Sequence, residues 1–476
     1  MEIVISKEQI KETVAGLSKI ISAKSTLPVL SHVKFFTRDN GLYLTGTNLE
    51  ESATFSFSNA TINKPGAFLL PLETLKLLAK GNDRDEVSLK LIIPTTIEVT
   101  NNISGQAIKQ NVETIEVSEF PSAMPQVDET FEVENSFIQN FHKAATFVSE
   151  DPARRLLNCV YLDVTEQNHH IVGCDGRRLG VFNSVTLPIK NSIAIWPSKF
   201  MLWSKLVDAV SFMIGADSTM FKLSTPRWEY NAKIEEGTYP NFRQVIPAKN
   251  DRHVFAFAEA DISMLKQVFT TLAGHDKNNK PITVIGLDGK VSIYGQDKNT
   301  SSWSKVELAN SQYYGKSTLF TVNRDYLMDA LQTGFKVFQI ENNTCPLLAM
   351  DAELGKHILM PLSSDVIPDG IVVEDYIPTQ VNAQEETSNQ TAKVEPEAVN
   401  KKERKTMPET IKNETVTTLD KVLAAYELAK SKIKEANSAL SDIAAAIKDV
   451  ARDEKSRKNE LVTARETLAR LQAIRI

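Results

Sequence analysis

The feature that most constrains this chain is an internal recurrence. Apolar residues at helical spacing open it at Ile10, Val14, Leu17 and Ile21. They recur at Phe137, Ile138, Phe141, Ala145 and Val148, and again at Ile262, Leu265, Val268, Phe269 and Leu272. Each stretch leads into an alternating or apolar β-like run, at residues 30–36, 158–164 and 282–287. Turn signals follow: Asp39-Asn40-Gly41, residues 166–168 and Asp288-Gly289. A second helical stretch comes at 71–80, 197–210 and 323–333, where Leu75, Met201 and Leu327 lie about 125 residues apart. Short β segments over 87–99, 212–223 and 335–350 close each unit. The pattern of helix, strands, helix, strands predicts three copies of one α+β unit over residues 1 to about 365. Phe120-Pro121 and Tyr239-Pro240 fall near the joints.

Composition changes after this region. Residues 375–412 are rich in Gln, Asn, Glu, Thr and Pro and read as a linker, because they hold few large apolar side chains. No Gly follows Gly370 and no Pro follows Pro408. From about residue 418, Tyr426, Ala429, Ile433, Ala436, Leu440, Ile443, Ile447 and Val450 alternate steps of three and four, a coiled-coil seam. Glu454 and Arg457 interrupt it, and it resumes at Leu461, Ala464, Leu468 and Leu471. One long helix with a polar gap and a hairpin turning near residues 453–459 both fit. The expected boundaries are 1–126, 127–251 and 252–368 for the three units, 369–417 for the linker and 418–476 for the helical tail.

Charge and chemistry narrow the function. The 476 residues carry 54 Lys+Arg and 60 Asp+Glu, a net −6. Residues 367–476 hold 18 of those bases and 19 of those acids, so no part is a polybasic arm. A mildly acidic total argues against an all-over phosphate-binding coat but leaves room for one basic surface. Cys159, Cys174 and Cys345 are scattered, with no Cys-x-x-Cys pair, which fits a reducing compartment. His169-His170 with Cys174 matches no strong zinc spacing. No GxxxxGK[ST] loop and no Ser/His/Asp arrangement is present, so neither a catalytic centre nor a cofactor is expected. No basic segment with an apolar core opens the chain, and no run of about 18 apolar residues occurs. The expectation is a soluble, cytoplasmic protein with no membrane partner. Basic residues do gather on or beside the helices: Lys7, Lys11, Lys76, Lys80, Lys143, Lys199, Lys205, Lys266 and Arg324. Taken alone, with Glu8, Glu12 and Glu73 interleaved, they read as solvated helix faces.

Five motifs in order carry a family resemblance. Cys174-Asp175-Gly176-Arg177-Arg178-Leu179-Gly180 resembles the Thr-Asp-Gly-His-Arg-Leu-Ala signature of the bacterial sliding clamp, the beta subunit of DNA polymerase III. Thr26-Leu27-Pro28-Val29-Leu30 and Thr47-Asn48-Leu49-Glu50 are similar to the family's Thr-Leu-Pro-Ile-Leu and Thr-Asp-Leu-Glu. Gly237-Thr238-Tyr239-Pro240-Asn241-Phe242 with Val245-Ile246-Pro247 resembles the segment joining its second and third domains. Ile358-Leu359-Met360-Pro361-Leu362 resembles its terminal Val-Val-Met-Pro-Met.

The resemblance covers residues 1–365 and implies an α+β fold of three repeated clamp domains, with helices lining a ring and sheets outside, followed here by the α-helical coiled-coil segment. It implies a homodimeric ring that encircles double-stranded DNA without reading its sequence, set in place by a clamp loader and tethering a DNA polymerase. It also implies a partner-peptide cleft. Leu157, Cys174, Gly176, Arg177, Arg178 and Leu179 match one wall, Pro240 and Val245 the floor, and Ile358, Met360, Pro361 and Leu362 the last wall. Lys24 matches a basic, DNA-facing position, and the helix cations above follow by location. Arg177 stands where the family has His, and Cys174 where it has Thr. Gly274-His275 stands where the family places a bulky apolar pair at its subunit interface. That departure, with the modest basic content, keeps open a clamp-fold scaffold that binds partner peptides without encircling DNA. The tail has no family counterpart and is expected to recruit an unidentified partner or to self-associate.

Overall fold

A computed structural model describes residues 1–377, apart from residues 23–24, 104, 166–167, 185, 210, 250–251, 273–278, 298–301, 364–366 and 369, together with the single residue Lys432. The coiled coil expected over 418–476 lies, but for Lys432, outside the described residues, as do Lys24 and Gly274-His275.

The first unit runs β1 (Glu2–Ser6), α1 (Lys7–Leu17), β2 (His32–Arg38), β3 (Gly41–Thr47), β4 (Glu51–Phe57), β5 (Thr61–Lys64), β6 (Ala67–Pro71), α2 (Leu72–Leu78), β7 (Glu86–Ile93), β8 (Thr96–Ile103) and β9 (Gln106–Glu113). The second runs β10 (Phe131–Val133), α3 (Ser136–Ala145), β11 (Val160–Val164), β12 (His169–Cys174), β13 (Arg178–Asn183), β14 (Ile193–Ile195), α4 (Ser204–Val207), β15 (Phe212–Ala216), β16 (Met220–Ser224) and β17 (Trp228–Lys233). The third runs β18 (His253–Ala256), α5 (Glu259–Thr271), β19 (Pro281–Leu287), β20 (Lys290–Gln296), β21 (Trp303–Tyr314), β22 (Thr318–Asn323), α6 (Arg324–Thr333), β23 (Val337–Ile340), β24 (Leu347–Asp351) and β25 (Gly355–Leu359).

The expected recurrence is present, with a strand ahead of each first helix that the helical periodicity did not reveal. Local chemistry explains the element ends. Asp39 and Asn40 take positive φ of 50° and 60°, the geometry of a tight hairpin between β2 and β3. Asn323 caps α6 by accepting from the Asp325 N–H at 2.9 Å, and Gly334, at φ 117°, stops it. The second helix of unit two is shorter than the expected 197–210. Trp203 is extended, so only Ser204–Val207 is α-helical, while Ser198 Oγ accepts from the Met201 N–H at 3.2 Å and holds the preceding turn.

The sheets follow one rule. In each unit the first strand pairs into a sheet with the three strands after the second helix, and the strands between the helices form a second group, except that β5 pairs with β1 and that in the third unit β18 also pairs with β21 and joins the two groups. The last strand of one unit then pairs with the third strand of the preceding unit's second group. β17 pairs antiparallel with β4, from Trp228↔Phe55 to Ala232↔Glu51. β25 pairs with β13, from Arg178↔Leu359 to Phe182↔Gly355. The first seam makes an eight-stranded sheet, and the second, together with the β18–β21 pairing, makes a twelve-stranded one, beside a five-stranded sheet ending on β9. A Cβ on Gly355 would sit 2.1 Å from the Val181 carbonyl oxygen, so the second seam closes only with glycine there.

Beyond β25 the chain lies on the third unit. Ile367, Ile371, Val373 and Tyr376 pack with Trp303 on Ile285, Tyr294 and Leu319. Asp375 bridges Arg252 at 2.6 Å and His253 Nε2 at 3.1 Å, and its carbonyl accepts from Thr318 Oγ1 at 2.6 Å. The Asn343 side chain exchanges hydrogen bonds of 2.7 and 2.8 Å with the Ile377 backbone. Residues 370–377, placed by sequence in the linker, are therefore fastened to the third unit. Partial burial of Ile371, Val373 and Tyr376 and the pairing of the Asp375 carboxylate override their polar context.

Candidate functional site

Four of the predicted cleft residues, Leu157, Cys174, Leu179 and Ile358, gather in one apolar cluster along the second seam. The turn between β12 and β13 is built by Asp175, whose Oδ1 accepts from the N–H groups of Arg177 and Arg178 at 2.8 and 2.9 Å, with Gly176 at φ 87°. It presents Cys174 and Leu179 to an apolar cluster of Val172, Val181, Tyr239, Phe242, Leu348 and Ile358. Leu156, Leu157, Tyr161 and Ile246 pack at its margin. Tyr161 and Tyr239 stack at 4.3 Å, fixing the joint segment against β11. Burial pushes the Cys174 thiol up, so it serves as a neutral wall.

Arg178 acts as a strut rather than an open contact. Its guanidinium bonds Asp175 at 2.9 Å, Asp329 at 2.5 Å and the Thr146 carbonyl at 3.0 Å, and lies 4.2 Å over the Tyr326 ring. One side chain thus ties units two and three. Arg177 is exposed and reaches Asn279 Oδ1 at 3.2 Å. Its carbonyl accepts from the Met360 N–H at 2.9 Å, extending the seam by one bond. Met360 is 42% exposed and Val245 54% exposed, as open apolar groups beside a groove would be, and Pro240 is exposed too. Pro361 and Leu362 turn away from the cluster. The Leu362 N–H donates to the Thr321 carbonyl at 2.7 Å, and both residues line a separate crevice with Leu319, Asn343 and Thr344.

Sequence reading missed Val172, Tyr161, Leu348 and the roles of Tyr239 and Phe242; the last two were visible in the Gly-Thr-Tyr-Pro-Asn-Phe motif. It also missed the electrostatic staple behind them. Asp163, 2% exposed, accepts from Arg243 Nη2 and sits 3.4 Å from His170 Nδ1. Burial alone would raise the Asp163 carboxyl, but the bonds from His170 and Arg243 outweigh it and hold the group below its ordinary value. His357 on β25 lies buried among Phe147 at 4.7 Å and Phe335 at 5.3 Å. Burial, then the Arg178 charge, pushes it down to about 3, so it is neutral.

The candidate DNA cations divide. Lys7 is fully buried, with Nζ 3.0 Å from the Asn102 carbonyl and 3.5 Å from Asp85, so it cannot meet a phosphate. It opens α1 under the loop that leads into β7, where a Cβ on Gly81 would lie 2.9 Å from Nζ. Lys11 is tied to Asp83 at 2.5 Å and to the Gly81 carbonyl at 2.8 Å, and Lys76 to Glu73 at 2.7 Å. Arg324 donates to the Leu272 carbonyl at 2.6 Å. Lys143 is half-buried, and its ammonium is pushed down by burial. Lys80, Lys199, Lys205 and Lys266 are exposed on or beside α2, α4 and α5.

Comparison with known proteins agrees with this architecture. Residues 1–125 match the family model of the DNA polymerase III beta subunit, N-terminal domain. The beta sliding clamp of Escherichia coli K12 is 20% identical over 351 residues, covering 70% of this chain and 90% of the relative. That of Pseudomonas putida is 24% identical over 347 residues with the same coverage. Among solved structures, the Bacillus subtilis DNA polymerase sliding clamp superposes with a TM-score of 0.68 at 16% identity, over 76% of this chain and 99% of that one. The Bartonella birtlesii clamp bound to griselimycin gives 0.66 at 20% identity, over 76% and 99%. The chain is a relative of the bacterial beta sliding clamps, similar to them across three sheet-rich domains, and its first 125 residues match the model of the DNA polymerase III beta subunit, N-terminal domain.

Proposed function

We infer that this protein is a processivity factor: a homodimeric ring that encircles duplex DNA and tethers a DNA polymerase through the groove at the second seam, without catalysing a reaction itself. The observation that carries the reading is the seam rule. The last strand of unit two pairs with β4, and the last strand of unit three pairs with β13. By the same rule β9, the last strand of unit one, needs a β21-type partner. β9 is an edge strand, and residues 303–308 of β21 pair only with β20 among the described residues. An unpaired edge is a template for another chain. Joining β9 of one copy to β21 of the next is a heterologous, head-to-tail contact, and two copies of three units close it into a ring.

The other parts support the same reading. The groove is a wall of Leu, Ile and Met with polar groups at its edge, suited to short apolar motifs of varied partners. Of the candidate helix cations, Lys80, Lys199, Lys205 and Lys266 stand exposed to meet DNA phosphates, and Lys24 joins them by its motif. A clamp loader would place the ring, since this chain has no nucleotide loop of its own. The units divide at 1–126, 127–251 and 252–368. The chain acts in the cytoplasm, and residues 418–476 recruit a partner or self-associate.

A scaffold that binds peptides without encircling DNA is the second reading. The pairing of Lys11 and Lys76 with carboxylates, the bond of Arg324 to a backbone carbonyl and the burial of Lys7 favour it. Solution mass across a concentration series separates the two. The ring predicts a species of twice the 53.0 kDa chain mass, lost when exposed Ile108 of β9 is changed to Asp. A monomer at all concentrations favours the scaffold.

A further inference from the structure

The first seam holds an open chamber of about 1050 Å³ to which nothing above assigns a role. Its walls come from the turn before β4, the 153–157 segment, Trp196 and the end of β17. Leu156 and Leu157 belong both to this chamber and to the margin of the apolar groove. The chamber therefore borders the apolar cluster, within reach of the flank of a peptide bound beside Leu157.

Charge decides what it would carry there. The lining holds three cations, Arg154, Arg155 and Lys233, and four carboxylates, Glu50, Glu51, Glu235 and Glu236. Arg155 pairs with Glu235 at 2.9 Å, Lys233 with Glu50 at 3.2 Å, and Arg154 with Asp151 at 3.5 Å outside the lining. Two carboxylates, Glu51 and Glu236, are left with no cation among the described residues. Glu51 is 9% exposed, and its oxygens accept from Tyr230 Oη at 2.6 Å and Asn48 Nδ2 at 3.2 Å. Both donors are neutral, so its negative charge stays uncompensated, at a cost in a low-dielectric setting. Trp196 stands 53% exposed on the same wall, a surface on which a guanidinium or ammonium can stack.

The geometry points to a second subsite: the chamber takes a Lys or Arg side chain that flanks the apolar motif of a groove-bound peptide, held between the Trp196 face and the Glu51 carboxylate. This rests on the groove being a peptide site. It adds a specificity element, because groove filling alone does not select charge, whereas the chamber rejects an acidic flank.

The test uses the full chain and three fluorescein-labelled peptides with one Leu/Phe-rich motif and a flank of Arg-Arg, Ala-Ala or Glu-Glu. Anisotropy should show the Arg peptide binding about tenfold tighter than the Ala peptide, with the Glu peptide weakest. Trp196→Ala and Glu51→Gln should each shrink the Arg advantage while leaving the Ala peptide unchanged. Trp196 is on the surface, so its variant folds whatever Glu51→Gln does. Equal affinity of all three peptides would overturn the chamber and leave the groove standing. Binding that is absent, or indifferent to Met360→Ala, would overturn the groove and the chamber with it.

Discussion

The two seams obey the same strand-pairing rule and are filled by opposite chemistry. At β4–β17 the centre is a buried phenol and carboxylate, Tyr230 and Glu51, with Phe200 stacked on Tyr230 at 5.0 Å and Trp228 at 4.9 Å from Phe55. At β13–β25 the centre is a cation, Arg178, held by two carboxylates and two rings, beside a neutral histidine in an aromatic cage. Backbone pairing makes the joint, and side chains decide what each joint does. The anionic seam opens on a chamber with charged groups in its lining, and the cationic seam lies beside the apolar cluster of Val172, Leu179, Tyr239 and Ile358.

The comparison can be broken, starting with its largest expected effect. Tyr230→Ala should lower the unfolding free energy by ~4 kcal/mol, from a ring-sized cavity and a stranded carboxylate, as read by urea denaturation. Tyr230→Phe removes only the hydroxyl and should cost ~2 kcal/mol, a charge-assisted bond; no loss would mean the polar pair does not brace the first seam. Arg178→Ala should cost ~3 kcal/mol, because Asp175 and Asp329 lose their cation in a largely buried place. A loss below that of Tyr230→Phe would mean that the second seam is held by its apolar cluster alone.

Acid separates the seams further. His357 has a folded value of about 3, depressed by burial, against an unfolded ~6.5. Between those values the unfolded chain binds the extra proton. The stability from keeping it neutral is therefore present above about pH 6.5 and lost as pH falls towards 3. Asp163, also depressed, adds a loss only at lower pH, as the pH falls through its folded value. His357→Phe should flatten the decline in melting temperature between pH 6.5 and 4.5 relative to the parent; parallel curves would show that His357 is not its source. Asp375→Asn touches neither seam and should cost only ~1 kcal/mol, as a bridge near the surface, measured by the same denaturation.

The recurrence was legible because apolar spacing records which face of each helix and strand is buried. Cys174, Leu179 and Ile358 were legible as neighbours because they sit in short ordered motifs, whereas Leu157 lies in none of them. Neither the seams nor the chamber could be read, since β4 meets β17 across more than 170 residues and nothing local marks the pairing. Charge misled for a related reason. Lys7 looks in sequence like Lys11 on the next turn, yet one is sealed under a loop and the other reaches its edge. The fastening of residues 370–377 was hidden because Asp375, a polar residue in a polar stretch, finds its partners Arg252 and His253 more than 120 positions away.

The most direct measurement of the central claim is retention on nicked circular DNA after loading, challenged with high salt and then with a single cut in the circle. Topological linkage predicts that the protein survives the salt wash, because counterion competition does not open a ring, and that it leaves once the DNA is linear. Equal retention on circular and linear DNA, or loss from both in salt, would contradict it.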